Sequence, residues 1–151
     1  MVKRILLAMI TALAIQAAAA QKLVIGSKTP DFKEVEWKTA APGGSKAVLV
    51  EFYQSSNQTS ESLYPKLADI YSKYSATLDI VVLTREDNAA IDLLTGNDGR
   101  KYSFGYDPTG KAYEAFGVKF VPFTMLIDSK GNLLWQGNLS NITDQALQKA
   151  K

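Results

Sequence analysis

Apolar residues along this chain fall in blocks whose spacing changes from one block to the next. Ala47 to Val50, followed by Phe52, make a short continuous apolar run, the pattern of a strand buried on both faces. Leu63, Leu67, Ile70, Tyr71 and Tyr74 then recur at steps of 4, 3, 1 and 3, which is one stripe of an amphipathic helix. Thr59 or Ser60 is a candidate cap for its start. Ile80 to Leu83 reads as a second buried strand, and Ala89 to Leu94 as a short helix that stops at Gly96. Gly96 to Gly110 is rich in Gly, Asp and Asn and predicts a loop carrying Tyr102, Phe104 and Tyr106, with Asn97-Asp98-Gly99 as a turn. Lys111 to Phe116 supplies one or two helical turns. Phe123 to Ile127 and Leu133 to Gln136 form a hairpin across Asp128 to Asn132, and a helix from Thr143 to Ala150 closes the pattern. The order βαβα followed by ββα predicts an α/β sandwich, a parallel pair continued by an antiparallel hairpin.

The first twenty residues follow different rules. Lys3 and Arg4 form a basic start, Ile5 to Ile15 an apolar run, and Ala18-Ala19-Ala20 a small-residue cleavage site. The run is well short of the roughly 20 apolar residues that span a bilayer. The expectation is a secretory signal peptide over 1–20, cleaved before Gln21, followed by one domain over 21–151. A lipoprotein anchor would require a cysteine at the cleavage point, where this chain has Gln21. The expected product is periplasmic or secreted, without membrane attachment after cleavage.

Charge changes this picture only slightly. Loss of Lys3 and Arg4 takes 17 Lys+Arg to 15, against 15 Asp+Glu, so the expected mature chain is close to neutral and nothing steers it toward nucleic acid or anionic lipid. Residue types that are absent say more. With no histidine, the commonest transition-metal ligand and the usual general base are missing, and serine-histidine or cysteine-histidine nucleophilic schemes are excluded. No D-x-D-x-D-G cluster or phosphate-binding glycine loop is present, so no motif calls for a metal or other cofactor. Asp31, Glu34 and Glu36 cluster near the amino terminus, and Glu86 and Asp87 sit where a helix start favours carboxylates for dipole reasons alone. The chain also contains no cysteine.

Three motifs carry a family resemblance. Ile25-Gly26-Ser27-Lys28-Thr29-Pro30-Asp31-Phe32 is similar to an amino-terminal G-x-x-A-P-x-F; Val48 to Ser60 to V-x-F-W-A-x-W-C-x-x-C; and Gly117 to Asp128 to G-V-x-x-x-P-T-x-x-L-I-D, followed by Gly131 and Trp135-x-Gly137. Together they resemble the thioredoxin-like superfamily, in particular its exported bacterial thiol-disulfide oxidoreductase branch (TlpA/ResA-like, peroxiredoxin-like). The implied fold is a central mixed β-sheet flanked by helices. The C-x-x-C is replaced by Asn57-Gln58-Thr59-Ser60. Thiolate attack and mixed-disulfide exchange cannot be carried by amides or hydroxyls.

The resemblance places several residues at one site. Pro122 matches a cis proline facing the degenerate dipeptide, and would turn the backbone of Val121 toward an extended peptide; the alternative is a plain strand-entry proline. Tyr53, Phe120 and Phe123 would flank this groove. Glu51 falls where some thioredoxins bury an acid beneath the redox pair, although a strand carboxylate is more ordinarily exposed at an edge or paired with a lysine. Asn57 to Ser60 at a helix start can accept an anion or hydrogen-bonding ligand, while capping is the commoner use of such residues. Tyr102, Phe104 and Tyr106 either form a binding surface or pack their loop on the core. Sequons at Asn57, Asn138 and Asn141 matter only in a host that glycosylates them.

The functional expectation is an exported, redox-inactive thioredoxin-fold module that binds a polypeptide or partner through the former active-site face, without catalysis. Two alternatives remain: an accessory component of a thiol-disulfide oxidoreductase system whose partner supplies the thiols, and a structural subunit forming a homodimer through that face.

Overall fold

The computed structural model describes residues 23–54, 58–86, 98 and 101–150. Its elements are β1 (Glu36–Trp37), β2 (Ala47–Tyr53), α1 (Gln58–Ser62), α2 (Tyr64–Tyr74), β3 (Leu78–Thr84), β4 (Ser103–Tyr106), α3 (Lys111–Ala115), β5 (Phe123–Ile127), β6 (Leu133–Gly137), a 3-10 turn (Leu139–Asn141) and α4 (Asp144–Gln148). One six-stranded mixed sheet runs in the order β1-β4-β3-β2-β5-β6. β2 pairs in parallel with β3, and β3 with β4, while β1, β5 and β6 join antiparallel. This is the expected α/β thioredoxin-like architecture.

The continuous apolar run becomes the centre of the sheet because both of its faces are covered. All seven residues of β2 are buried. Leu49 and Tyr53 face a core shared with Leu67 and Ile70 of α2 and Leu147 of α4, whereas Val50 and Phe52 face a second core with Phe116 and Met125. The helical stripe sits on α2, where Leu67 and Ile70 are buried and Tyr71 and Tyr74 pack at the margin. Thr143 caps α4 by accepting the Ala146 N–H. The outer edge of β6 is shielded by the amino-terminal motif: Gly26 N–H donates to the Leu133 carbonyl at 2.7 Å, and Leu133 N–H to that of Ser27 at 2.9 Å.

Two expectations change. The stretch expected to be a loop over 96–110 contains β4, and Tyr102 and Phe104 are core residues, held by parallel pairing of β4 with β3 and by β1 on its other edge. That strand was hidden because its partners lie far away in sequence and Gly105 interrupts its apolar pattern; a Cβ there would lie 2.5 Å from Val35 Cγ1. The helix of the stripe, α2, has Leu63 at its cap position, and Thr59 and Ser60 lie within the preceding α1, so neither caps α2. The expected helix over 89–94, residues 1–22 and Asn57 lie outside the described residues.

Candidate functional site

Strand directions gather the expected site residues at one end of the sheet. β2 ends at Tyr53, its parallel neighbour β3 ends at Thr84 in register with it, and the antiparallel β5 begins at Phe123 on the other flank of β2. Carboxyl ends of adjacent parallel strands are where open α/β sheets form crevices. The Val121–Pro122 peptide bond, which enters β5 at this end, is cis.

Glu51 lies one layer beneath. It is fully buried on the central strand, opposite Thr124 of β5, and neither exposed nor paired with a lysine. Thr124 Oγ1 donates to Glu51 Oε2, and Oε1 has no partner among the described residues. Burial, opposed only by the Thr124 hydrogen bond, pushes its carboxyl up from 4.5 to about 8. At neutral pH the group therefore holds its proton, which is how a carboxyl is accommodated in an apolar layer without a counter-charge. Around it stand Tyr53, pushed up to about 12 chiefly by burial, and Tyr64, raised mainly for the same reason. The two rings meet edge to face at 5.5 Å.

The expected groove residues separate into two depressions. One of about 400 Å³ is lined by Tyr53, Gln54, Thr84, Arg85, Tyr113 and Val121. The other, of about 320 Å³, is lined by Leu23, Phe116, Phe120, Phe123, Met125 and Gln136. Val118 and Lys119 line both and form the ridge between them. Tyr53 is thus a buried floor rather than an exposed flank, whereas Phe120 is 82% exposed. Gln58, Thr59 and Ser60 line neither depression; Ser60 points inward and is buried.

Sequence reasoning missed Arg85, Tyr113 and Lys119. Tyr113 reaches from α3 to the strand ends, its hydroxyl donating to the Leu83 carbonyl at 2.8 Å and lying 3.4 Å from that of Tyr53, so it ties β3 to β2 where the crevice opens. Arg85 could have been found from its position directly after the second buried strand. Among the described residues no group of three acids could hold a metal ion, and no helix is long and apolar enough to cross a membrane.

Comparison with known proteins places this arrangement. Residues 44–133 match the family model described as thioredoxin-like. No curated relative matches by sequence. A Chlorobium tepidum protein described as the thiol:disulfide interchange protein DsbE shares 20% identity at a TM-score of 0.68, over 85% of this chain and 99% of its own. A thioredoxin-family thiol:disulfide interchange protein from the same organism shares 15% at 0.63, over 84% and 97%. The thioredoxin domain of the thiol-disulfide oxidoreductase BVU-2223 from Bacteroides vulgatus shares 16% at 0.65, over 85% and 95%. At these identities the likeness is one of fold.

Proposed function

The chain belongs to the thioredoxin-like family yet contains no cysteine, and from that premise we propose that it is an exported, non-catalytic module that binds extended polypeptide at the carboxyl end of its sheet. Dithiol exchange requires a thiolate, which this chain cannot supply. The observation that carries the reading is Phe120: a large apolar side chain 82% exposed on the rim of an apolar depression of about 320 Å³, at the end of the sheet where the crevice lies. An exposed aromatic beside an open apolar depression is the arrangement of a contact surface. Shallow grooves of this kind bind on the order of micromolar or more weakly, about −8 kcal/mol at best.

The test is an NMR titration with an unfolded client protein. Amide shifts should cluster on residues 118–123 and around Tyr53, and Phe120→Ser should weaken binding while leaving the fold intact. Shifts confined to Tyr106 and the β1 edge, or none up to millimolar client, would refute the reading. Export is tested separately by amino-terminal sequencing of the secreted protein, which should begin at Gln21; retention of Met1 to Ala20 would overturn it.

A further inference from the structure

The depression on the other side of the Lys119 ridge has a different chemistry. Arg85 leaves the end of β3 and lays its guanidinium over the Tyr113 ring, Cζ at 5.8 Å from the centroid. The same group lies against Gly110, at φ +75, where a Cβ would come within 3.0 Å of Nη2 and 3.1 Å of Cζ. The guanidinium is thus near an aromatic ring and beside a glycine whose missing side chain leaves room for it. Despite that placement it makes no hydrogen bond or ion pair with any described residue. Asp107, buried nearby, uses Oδ2 to accept the Tyr113 N–H at 2.9 Å and does not pair with Arg85. Lys119, on the ridge, likewise has no carboxylate partner among the described residues. Acids are present, Glu86 in this depression and Glu114 in the adjoining one of about 340 Å³ that also contains Arg85 and Lys119. Among its described lining residues the first depression nonetheless has two cations, Arg85 and Lys119, against one anion, Glu86. The amino-terminal end of α3, beginning at Lys111 beside Gly110, is not where a helix favours a cation, so dipole attraction does not explain the position of Arg85.

We propose that Arg85, with Lys119, is a carboxylate-recognition site, and that the polypeptide bound is acidic: an Asp or Glu side chain pairs with the Arg85 fork while a neighbouring apolar residue of the same segment enters the depression beneath Phe120. A guanidinium held near an aromatic ring, with its donors uncommitted among the described residues, matches a carboxylate in two parallel hydrogen bonds, a geometry that a lysine cannot reproduce. The shared ridge sets the spacing, because one extended segment crossing Lys119 meets the cation on one side and the apolar depression on the other. This inference rests on the binding-module reading and names its ligand class.

The experiment uses a pair of unstructured peptides, one carrying Glu next to Phe and the other with Gln in place of that Glu, titrated into the native chain, Arg85→Gln, Arg85→Lys, Lys119→Gln and Phe120→Ser. The native chain should prefer the Glu peptide about tenfold, with the preference shrinking as salt is raised. Arg85→Gln should abolish the preference by bringing the Glu peptide's affinity down to about that of the Gln peptide, while Arg85→Lys and Lys119→Gln each retain part of it. If both peptides bind the native chain equally and Phe120→Ser weakens both, the acidic specificity is refuted and the binding module stands. If neither peptide binds at millimolar concentration, both fall. If free glutamate shifts the Arg85 side-chain resonances as strongly as the peptide does, a small carboxylate is the ligand and the polypeptide assignment is refuted. Should Arg85→Gln fail to fold, the salt dependence of the native preference and the Lys119→Gln result decide the question.

Discussion

Glu51→Gln isolates a carboxyl buried on the central strand with no counter-charge among the described residues. Its carboxyl is raised from 4.5 to about 8, so the folded state holds the proton more tightly than the unfolded chain does. For an acid with a raised folded-state pKa, the favourable contribution is complete below 4.5 and is lost as pH climbs toward about 8. Stability should therefore fall by about 1.4 kcal/mol per pH unit inside that window, and by roughly 3–4 kcal/mol between pH 5 and pH 8. Glutamine keeps the size and an acceptor for Thr124 Oγ1 but does not titrate. The assay is urea unfolding followed by Trp37 and Trp135 fluorescence at half-unit steps from pH 5 to 9. At pH 5 the two proteins should agree within about 1 kcal/mol, and by pH 8 the variant should be the more stable by roughly 3 kcal/mol. Taking the difference between the two proteins cancels titrations they share. A difference that stays constant across the range would mean that Glu51 is already ionised, and would refute the reasoning from burial.

Gly105→Ala should destabilise the chain by about 1–3 kcal/mol in the same assay, because the new Cβ would meet Val35 Cγ1 at 2.5 Å and Leu83 Cδ1 at 3.0 Å; a change under about 0.5 kcal/mol would mean that β1 moves aside freely. Thr143→Ala removes the oxygen that accepts the Ala146 N–H and should cost about 1 kcal/mol, visible as a lower urea midpoint, whereas Thr143→Ser should retain most of it. Asn57→Cys with Ser60→Cys should give a chain that reduces insulin disulfides, which the cysteine-free native chain should not do; a folded but inert variant would show that the alignment of residues 57 to 60 with the family's dithiol is wrong.

Much of the fold was legible because its signals are local. The uninterrupted apolar run of β2, the stripe of α2 and the Asp128 to Asn132 turn each carry their structure in adjacent residues, since a strand buried on both faces, a helix with one covered face and a tight turn each impose their own period. Absence was equally legible: without cysteine or histidine, whole classes of chemistry are closed whatever the fold. Tertiary structure decided matters that depend on partners distant in sequence. β4 exists because β3 and β1 pair with it, although its own residues read as loop. The Glu51 carboxyl is pushed up because the sheet places it at the centre, opposite Thr124, and the cost of burying a charge is set by surroundings that one strand's sequence does not reveal. The single expected groove became two depressions that share Val118 and Lys119, with Arg85 at the end of β3 in one and Phe120 before β5 in the other. Spacing along a chain fixes periodicity, but which side chains share a cavity is fixed by long-range pairing, and that is why Arg85 and Tyr113 emerged only from the folded arrangement.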